Sequence, residues 1–269
     1  TTDDFGRPSR YWEYDGDEIG TYVRNELIRE EYTVEVTGKD LYDLLGSATI
    51  RDYGLTVVID GVSDEDINEA VFTDADMNRN NRDGVGATGN GVLTQVFVDN
   101  QSKEITISII NTYLALADKD YDEKKEELDI TAYGLTKEKD EYVKVDTKDE
   151  DKVPFTLESE DFDIADYVSG DALLVTVAEG EVQTIADAEI LSEVEISAFK
   201  VDSNITVDGT KYSYASSAEY KFGDLDVYTT STPGGTINLK DLTYNVYLDQ
   251  YGYAIGVEEV NPADNYLFI

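Results

Sequence analysis

The sequence predicts an all-β protein, mainly antiparallel, with one or two short helices, arranged as tandem small β-barrel or sandwich-like modules. Three observations lead there. Short runs rich in Val, Ile and Tyr recur along the chain and are bounded by Gly, Asp and Asn, as antiparallel hairpins require. Helix signals are confined to two brief segments. The 269 residues are too many for one small domain and suit two or three, each burying a modest core.

Strands are expected at Tyr32 to Val36, Leu55 to Ile59, Val92 to Val98, Ile105 to Ile110, Leu173 to Val177, Val194 to Phe199, Ile205 to Val207 and Tyr244 to Leu248. Helices are expected at Lys39 to Leu45 and at Ser63 to Ala70, the second opened by a Ser63/Asp66 capping box. Three strand-turn-strand units align on Val96, Val175 and Val246, at a spacing close to one small domain, which reads as a weak internal repeat. Further hairpins follow at Tyr113 to Ile130 and at Val194 to Tyr214, the latter turning at Asp208-Gly209. Alternate residues of the aligned strands, Val96 with Val98 and Val175 with Val177, are expected to face cores.

The resulting division is residues 1–135 as a β module with an insertion at about 50–90, residues 136–223 as a second module, and residues 224–269 as the start of a truncated third. The end, Asn265-Tyr266-Leu267-Phe268-Ile269, reads as a strand cut partway, and the start as a mature or excised chain, so a piece of a longer protein is expected.

Charge narrows the function classes. Against 21 Lys and Arg stand 59 Asp and Glu, a net −38. Nothing supplies the clustered cations that a nucleic acid or an anionic membrane surface requires, and no apolar run is long enough for a spanning helix. Neither partner is expected. At this charge density the folded chain repels itself, so condensed cations should matter to its stability. Cys and His are both absent. That removes disulfides, thiol and Ser-His-Asp catalysis, and Cys- or His-based metal sites.

One segment has metal-ligand spacing. Asp74, Asp76, Asn78 and Asn80 copy the start of an EF-hand loop and would offer alternating oxygens to Ca²⁺. Arg79 then stands where Gly makes the sharp turn and Val85 where the bidentate Glu belongs; the alternative is a solvated Asn/Asp turn. The acidic runs 118–129 and 146–151 read as charged tips or surfaces with weak cation affinity. Tyr11, Tyr14, Tyr212, Tyr214, Tyr244, Tyr247, Tyr251 and Tyr253 form either sugar-stacking clusters or cross-strand pairs that hold sheets. Asn100 and Asn204 begin Asn-x-Ser/Thr sequences that matter only in a glycosylating host. The glycines at 86 and 89–91 lack phosphate-loop spacing.

Three stretches resemble the S-layer homology domain-containing surface proteins of gut clostridia: Phe5-Gly6-Arg7-Pro8 with Tyr11-Trp12 and Glu18-Ile19-Gly20-Thr21-Tyr22; Asn90-Gly91-Val92-Leu93-Thr94 running on to Ile109-Ile110-Asn111-Thr112-Tyr113-Leu114-Ala115; and Val246-Tyr247-Leu248-Asp249-Gln250-Tyr251-Gly252-Tyr253. The match between them is looser but spans most of the chain. In that family the helical homology modules bind cell-wall polymer, and nothing in this chain resembles them. The resemblance therefore implies an outward or spacer region of an exported protein. It carries over no catalytic residue and makes Gly6-Arg7-Pro8 a turn, Trp12 a core aromatic and Gly252 a hairpin tip.

The function expected is a non-catalytic structural or spacer segment of a secreted, cell-wall-associated surface protein, with no cofactor other than a possible Ca²⁺. Its partners would be other copies or neighbouring surface proteins, with cell-wall polymer reached through other domains. The alternative is an adhesin or carbohydrate-binding module that takes glycans. A halophilic enzyme is a third class, against which the fourteen Lys and the missing His argue.

Overall fold

The computed structural model describes residues 1–63, 73–138, 141–144, 152–200, 203–219 and 242–260. Among these the protein is all-β with two short helices, and most strand pairs are antiparallel. Two compact units are present: residues 1–111 with 176–183, and residues 112–175 with 184–269. The sequence placed divisions at 135 and 223 instead.

The first unit opens with a hairpin, β1 (Ser9–Tyr14) and β2 (Asp17–Val23), turned by Asp15 and Gly16 at φ 53° and 90°, the left-handed pair that matches strand twist. A four-stranded sheet follows in the order β3 (Ile28–Tyr32), β5 (Leu93–Asp99), β6 (Glu104–Ile110), β4 (Gly54–Ile59). The pair β4 and β6 runs parallel, which the hairpin reading did not include. A parallel neighbour needs a crossover, and helices α1 (Gly38–Leu45) and α2 (Ser47–Asp52) lie within the connection from β3 to β4.

Helix α1 starts where Thr37 and Asp40 form a reciprocal capping box, leaving the Ser63/Asp66 box outside the described residues beyond Ser63. Leu41 of α1 is buried with Val57, Val96, Ile105, Ile107 and Ile109 in the main core of this unit, and Met77 and Val85 join them from the loop before β5. The described residues between 50 and 90 thus supply an edge strand of this sheet and core side chains. On a second, smaller cluster Phe5 packs with Ile110 and Ala178, and the buried Ser108 hydroxyl donates to the Phe5 carbonyl at 2.9 Å.

Two larger sheets and a small hairpin, β9 (Leu135–Glu138) with β10 (Glu141–Lys144), lie mainly in the second unit, residues 176–183 at the tip of β12–β13 belonging to the first. One sheet runs β11 (Lys152–Glu158), β8 (Glu127–Tyr133), β7 (Tyr113–Ala117), β12 (Ala172–Ala178), β13 (Glu181–Asp187). Along β8 the residues Leu128, Ile130 and Ala132 are buried while their neighbours are half-exposed, the alternation of a strand with one covered face. The other sheet runs β14 (Glu189–Val194), β18 (Thr243–Leu248), β19 (Ala254–Val260), β17 (Thr210–Glu219), β16 (Asn204–Val207), β15 (Ile196–Lys200). Leu114, Ala172 and Leu174 of the first sheet pack on Ala215, Tyr247 and Ile255 of the second. The sheets therefore share a core face to face, as in a sandwich.

The three aligned hairpins are all present, as β5–β6, β12–β13 and β18–β19. The first and third have the same kind of flanks, an antiparallel strand beside the leading strand (β3, β14) and a parallel one beside the trailing strand (β4, β17). The second has antiparallel β7 beside β12, while β13 is an edge among the described residues. Val96, Val98, Val175 and Val177 are all buried. Two strand boundaries shift: β3 ends at Tyr32, so Thr33 to Val36 lie beyond it, and the Val194 to Phe199 run breaks at Glu195 between β14 and β15. Asp208 and Gly209 turn β16 into β17 as expected.

Candidate functional site

In the loop with EF-hand spacing, the Asp76 and Asn78 side chains bond the loop's own backbone. Asp76 Oδ2 accepts from the Thr73 N–H at 2.6 Å. Asn78 Oδ1 accepts from the N–H groups of Asn80 and Asn81 at 3.0 and 3.1 Å, and Asn78 Nδ2 donates to the Ala75 carbonyl at 3.1 Å. These are Asx-type turns. Asp74 and Asn80 are exposed on the same loop, while Met77 between them is buried in the core. The loop is tied to α1 as well, since Asn81 Nδ2 donates to the Asp76 carbonyl at 2.8 Å and the Lys39 N–H donates to the Asn81 carbonyl at 2.7 Å.

An acidic group that the sequence reading did not single out forms where β11 ends. Glu158, Glu160 and Asp161 bring one carboxylate oxygen each within 4.8 Å of one another, all exposed. The turn is closed by the N–H groups of Asp161 and Phe162, both donating to the Glu158 carbonyl at 3.1 Å. The charge of Glu160 beside it pushes the Glu158 carboxyl above its ordinary range. Three exposed carboxylates at one turn can attract a divalent cation weakly. The signal was Glu158-Ser159-Glu160-Asp161 itself, which looks like any other acidic tip until the turn folds it together.

The run 118–129 joins β7 to β8 and enters β8, where Asp129 meets Lys119 Nζ at 2.6 Å and the Thr156 hydroxyl at 2.8 Å, and these contacts lower its carboxyl. The run 146–151 lies outside the described residues.

The aromatics divide between core and surface. Tyr214, Tyr244 and Tyr247 are buried, and burial together with a hydrogen bond to Glu258 pushes the Tyr247 phenol up. Tyr212 and Tyr253 are half-buried, and Tyr251 is exposed beside Gly252 at the tip of β18–β19, where Gly252 has φ 83°. On β1–β2, by contrast, Trp12 is 61% exposed, Tyr14 74%, Tyr11 48% and Tyr22 37%. Trp12 is therefore a surface aromatic, where a core role was expected. The ribbon has no second layer among the described residues, so both its faces meet solvent. Its root is fixed: the Arg24 N–H donates to the Pro8 carbonyl at 2.8 Å, and the Arg24 guanidinium meets Glu26 and Asp99, each at 3.1 Å. The Gly6-Arg7-Pro8 turn leading in is held by Asp3, whose carboxylate accepts from the Arg7 N–H and guanidinium at 2.8 and 2.7 Å.

No family model, curated protein or solved structure matches this chain. No helix among the described residues is long and apolar enough to cross a membrane.

Proposed function

We propose that this chain is a non-catalytic structural segment of a secreted bacterial surface protein, set outside the cell wall as part of an S-layer-like coat or as a spacer. The observation that carries this reading is where the buried polar side chains go. Ser108 bonds the Phe5 carbonyl, Asn111 bonds Asp60, Ser217 bonds the Thr112 carbonyl, and the buried Thr112 Oγ1 accepts from the exposed Gln250 Nε2 at 2.9 Å. Each ties two distant stretches of one unit together, which is what a load-carrying framework needs. The net −38 supports an exposed, cation-bathed setting, with divalent ions such as Ca²⁺ acting as counter-ions between neighbouring copies or other surface proteins. Electron microscopy of the purified chain with and without Ca²⁺ tests this. Ordered sheets or filaments support it, and a dispersed monomer that turns over a substrate overturns it.

The exposed aromatic ribbon favours a second reading, an adhesin-like or glycan-binding module. Rings that contribute nothing to a core are the kind of surface that contacts partners. Binding of the chain to glycans or to whole cell surfaces tests that reading.

A further inference from the structure

The β1–β2 register sets Trp12 opposite Gly20 and Arg10 opposite Tyr22. Because side chains alternate along a strand, Arg10, Trp12 and Tyr14 share one face with Gly20 and Tyr22. The Trp12 and Tyr22 rings are diagonal neighbours there, with centroids 5.2 Å apart and planes inclined at 32°. Gly20 brings no side chain, and a Cβ built on it would meet nothing within 4 Å, so open space lies beside the indole.

Charge selects the occupant. Of the charged residues in this ribbon, Arg10 is the only cation; it shares the face of the rings, and its guanidinium leans to Glu26 at 3.8 Å. Glu13 lies on the other face of β1, and Asp15 and Asp17 stand at the turn end. A second copy would bring the same acids and another net −38. A polyanion would be repelled by the whole chain. A neutral sugar would stack but leave the carboxylates without a counter-charge. A cation gains from both the rings and the field, since Trp is the strongest ring partner for an ammonium or guanidinium and the net −38 of the chain raises its local concentration.

We propose that the Trp12–Tyr22 face docks a basic polypeptide segment, with a Lys or Arg side chain lying over the rings beside Gly20. The proposal rests on the second reading above, that the ribbon contacts partners, and gives that partner its chemistry.

Trp12 is the sole Trp, so its emission reports on this face alone. Titrating the full chain with a decapeptide of alternating Arg and Gly in 150 mM NaCl, about physiological ionic strength, should change that emission saturably. Tyr22→Ala should weaken binding about tenfold. Asp161→Asn, an acid outside the ribbon, should leave it within about twofold. Calorimetry follows Trp12→Ala and Trp12→Phe, where the reporter is gone: Ala should lose about tenfold and Phe distinctly less. Circular dichroism checks that each variant keeps its strands.

Equal weakening by Tyr22→Ala and Asp161→Asn, or heat of binding without any change in Trp12 emission, would overturn the proposal in favour of diffuse charge. A response to a neutral xylo-oligosaccharide but not to the peptide overturns it while leaving the ribbon a binding surface. An emission change on simple dilution of the chain, with association in sedimentation, makes a second copy the occupant and overturns it too. Silence with both ligands overturns it, and the broader binding reading fails only if the wild-type chain also ignores glycans and whole cell surfaces.

Discussion

The Asp60 carboxylate receives both N–H groups that Asn111 offers, the backbone at 2.8 Å and the side-chain amide at 3.0 Å, with both residues buried. Asp60 sits just past β4 with φ 47°, and Asn111 just past β6, so the pair clamps the ends of the parallel strands. Its own backbone joins in, as the Asp60 N–H donates to the Ile109 carbonyl at 2.9 Å and its carbonyl accepts from Glu179 at 3.2 Å. Asp60→Ala leaves two buried donors without their acceptor and should cost about 2–4 kcal/mol. Asp60→Asn, which keeps one acceptor and tolerates the left-handed backbone, should cost about half that. Urea unfolding measures both, and a loss under about 0.5 kcal/mol for Asp60→Ala would show that the clamp is not structural.

Gly38 opens helix α1 against the loop that carries Asp76. A Cβ at Gly38 would lie 2.0 Å from the Asp76 carbonyl oxygen and 2.5 Å from Asn81 Nδ2. Backbone cannot swing aside as a flexible side chain can, so Gly38→Ala should cost about 2 kcal/mol by overpacking, even though Ala is the better helix former. A neutral or stabilised variant in thermal melts would mean that the loop gives way.

Much of the fold is legible because strand runs and turn residues are local signals. The hairpins at Val96, Val175 and Val246, the Asp208-Gly209 turn and α1 fall near their expected places. Which strand lies beside which is not local, and so the parallel neighbours of β6 and β19 leave no mark in the pattern. Helix α2 is six residues long and has no side-chain cap, too short for a period to show. Trp12 misleads because large aromatics are usually core, and among the described residues no second layer covers β1–β2. The Asp74–Asn80 spacing is open to two readings. Oxygens at every second residue suit a cation, yet they suit backbone N–H groups two or three residues away equally well.

Asp249 gives the fold a pH dependence that a single variant can isolate. Its carboxylate Oδ1 accepts from the N–H groups of Tyr251 and Tyr253, both at 2.9 Å, and it is buried in the β18–β19 turn. Burial outweighs those donors and raises its carboxyl above the ordinary 3.8. A raised folded value favours the protonated form, so this contribution is full below about pH 3.8 and is lost as pH rises through the folded value. Asp249→Asn keeps the Oδ1 acceptor and removes the charge. It should match wild type at low pH and become the more stable protein toward neutrality. Melting temperature against pH for both proteins shows this, and parallel curves would refute it.

Cations should stabilise the whole chain without a dedicated step from the Asp74–Asn80 loop. A net −38 opposes compaction, and monovalent salt relieves that repulsion gradually over hundreds of millimolar, roughly as the screening length shortens. A built Ca²⁺ site would add a rise that saturates at about millimolar concentration, the weak range of extracellular modules. In this loop Asp76 already accepts the Thr73 N–H and Asn78 those of Asn80 and Asn81. Asp76→Ala should therefore begin about 1 kcal/mol less stable, from the lost turn contact, and then respond to NaCl and Ca²⁺ with the same slope as wild type. Thermal melts over both titrations separate the terms. A saturable step in wild type that vanishes in Asp76→Ala would mean that the loop rearranges to hold the ion. A saturable step that survives there but disappears in Glu160→Gln would assign it to the turn of Glu158, Glu160 and Asp161, whose oxygens already lie within 4.8 Å of one another.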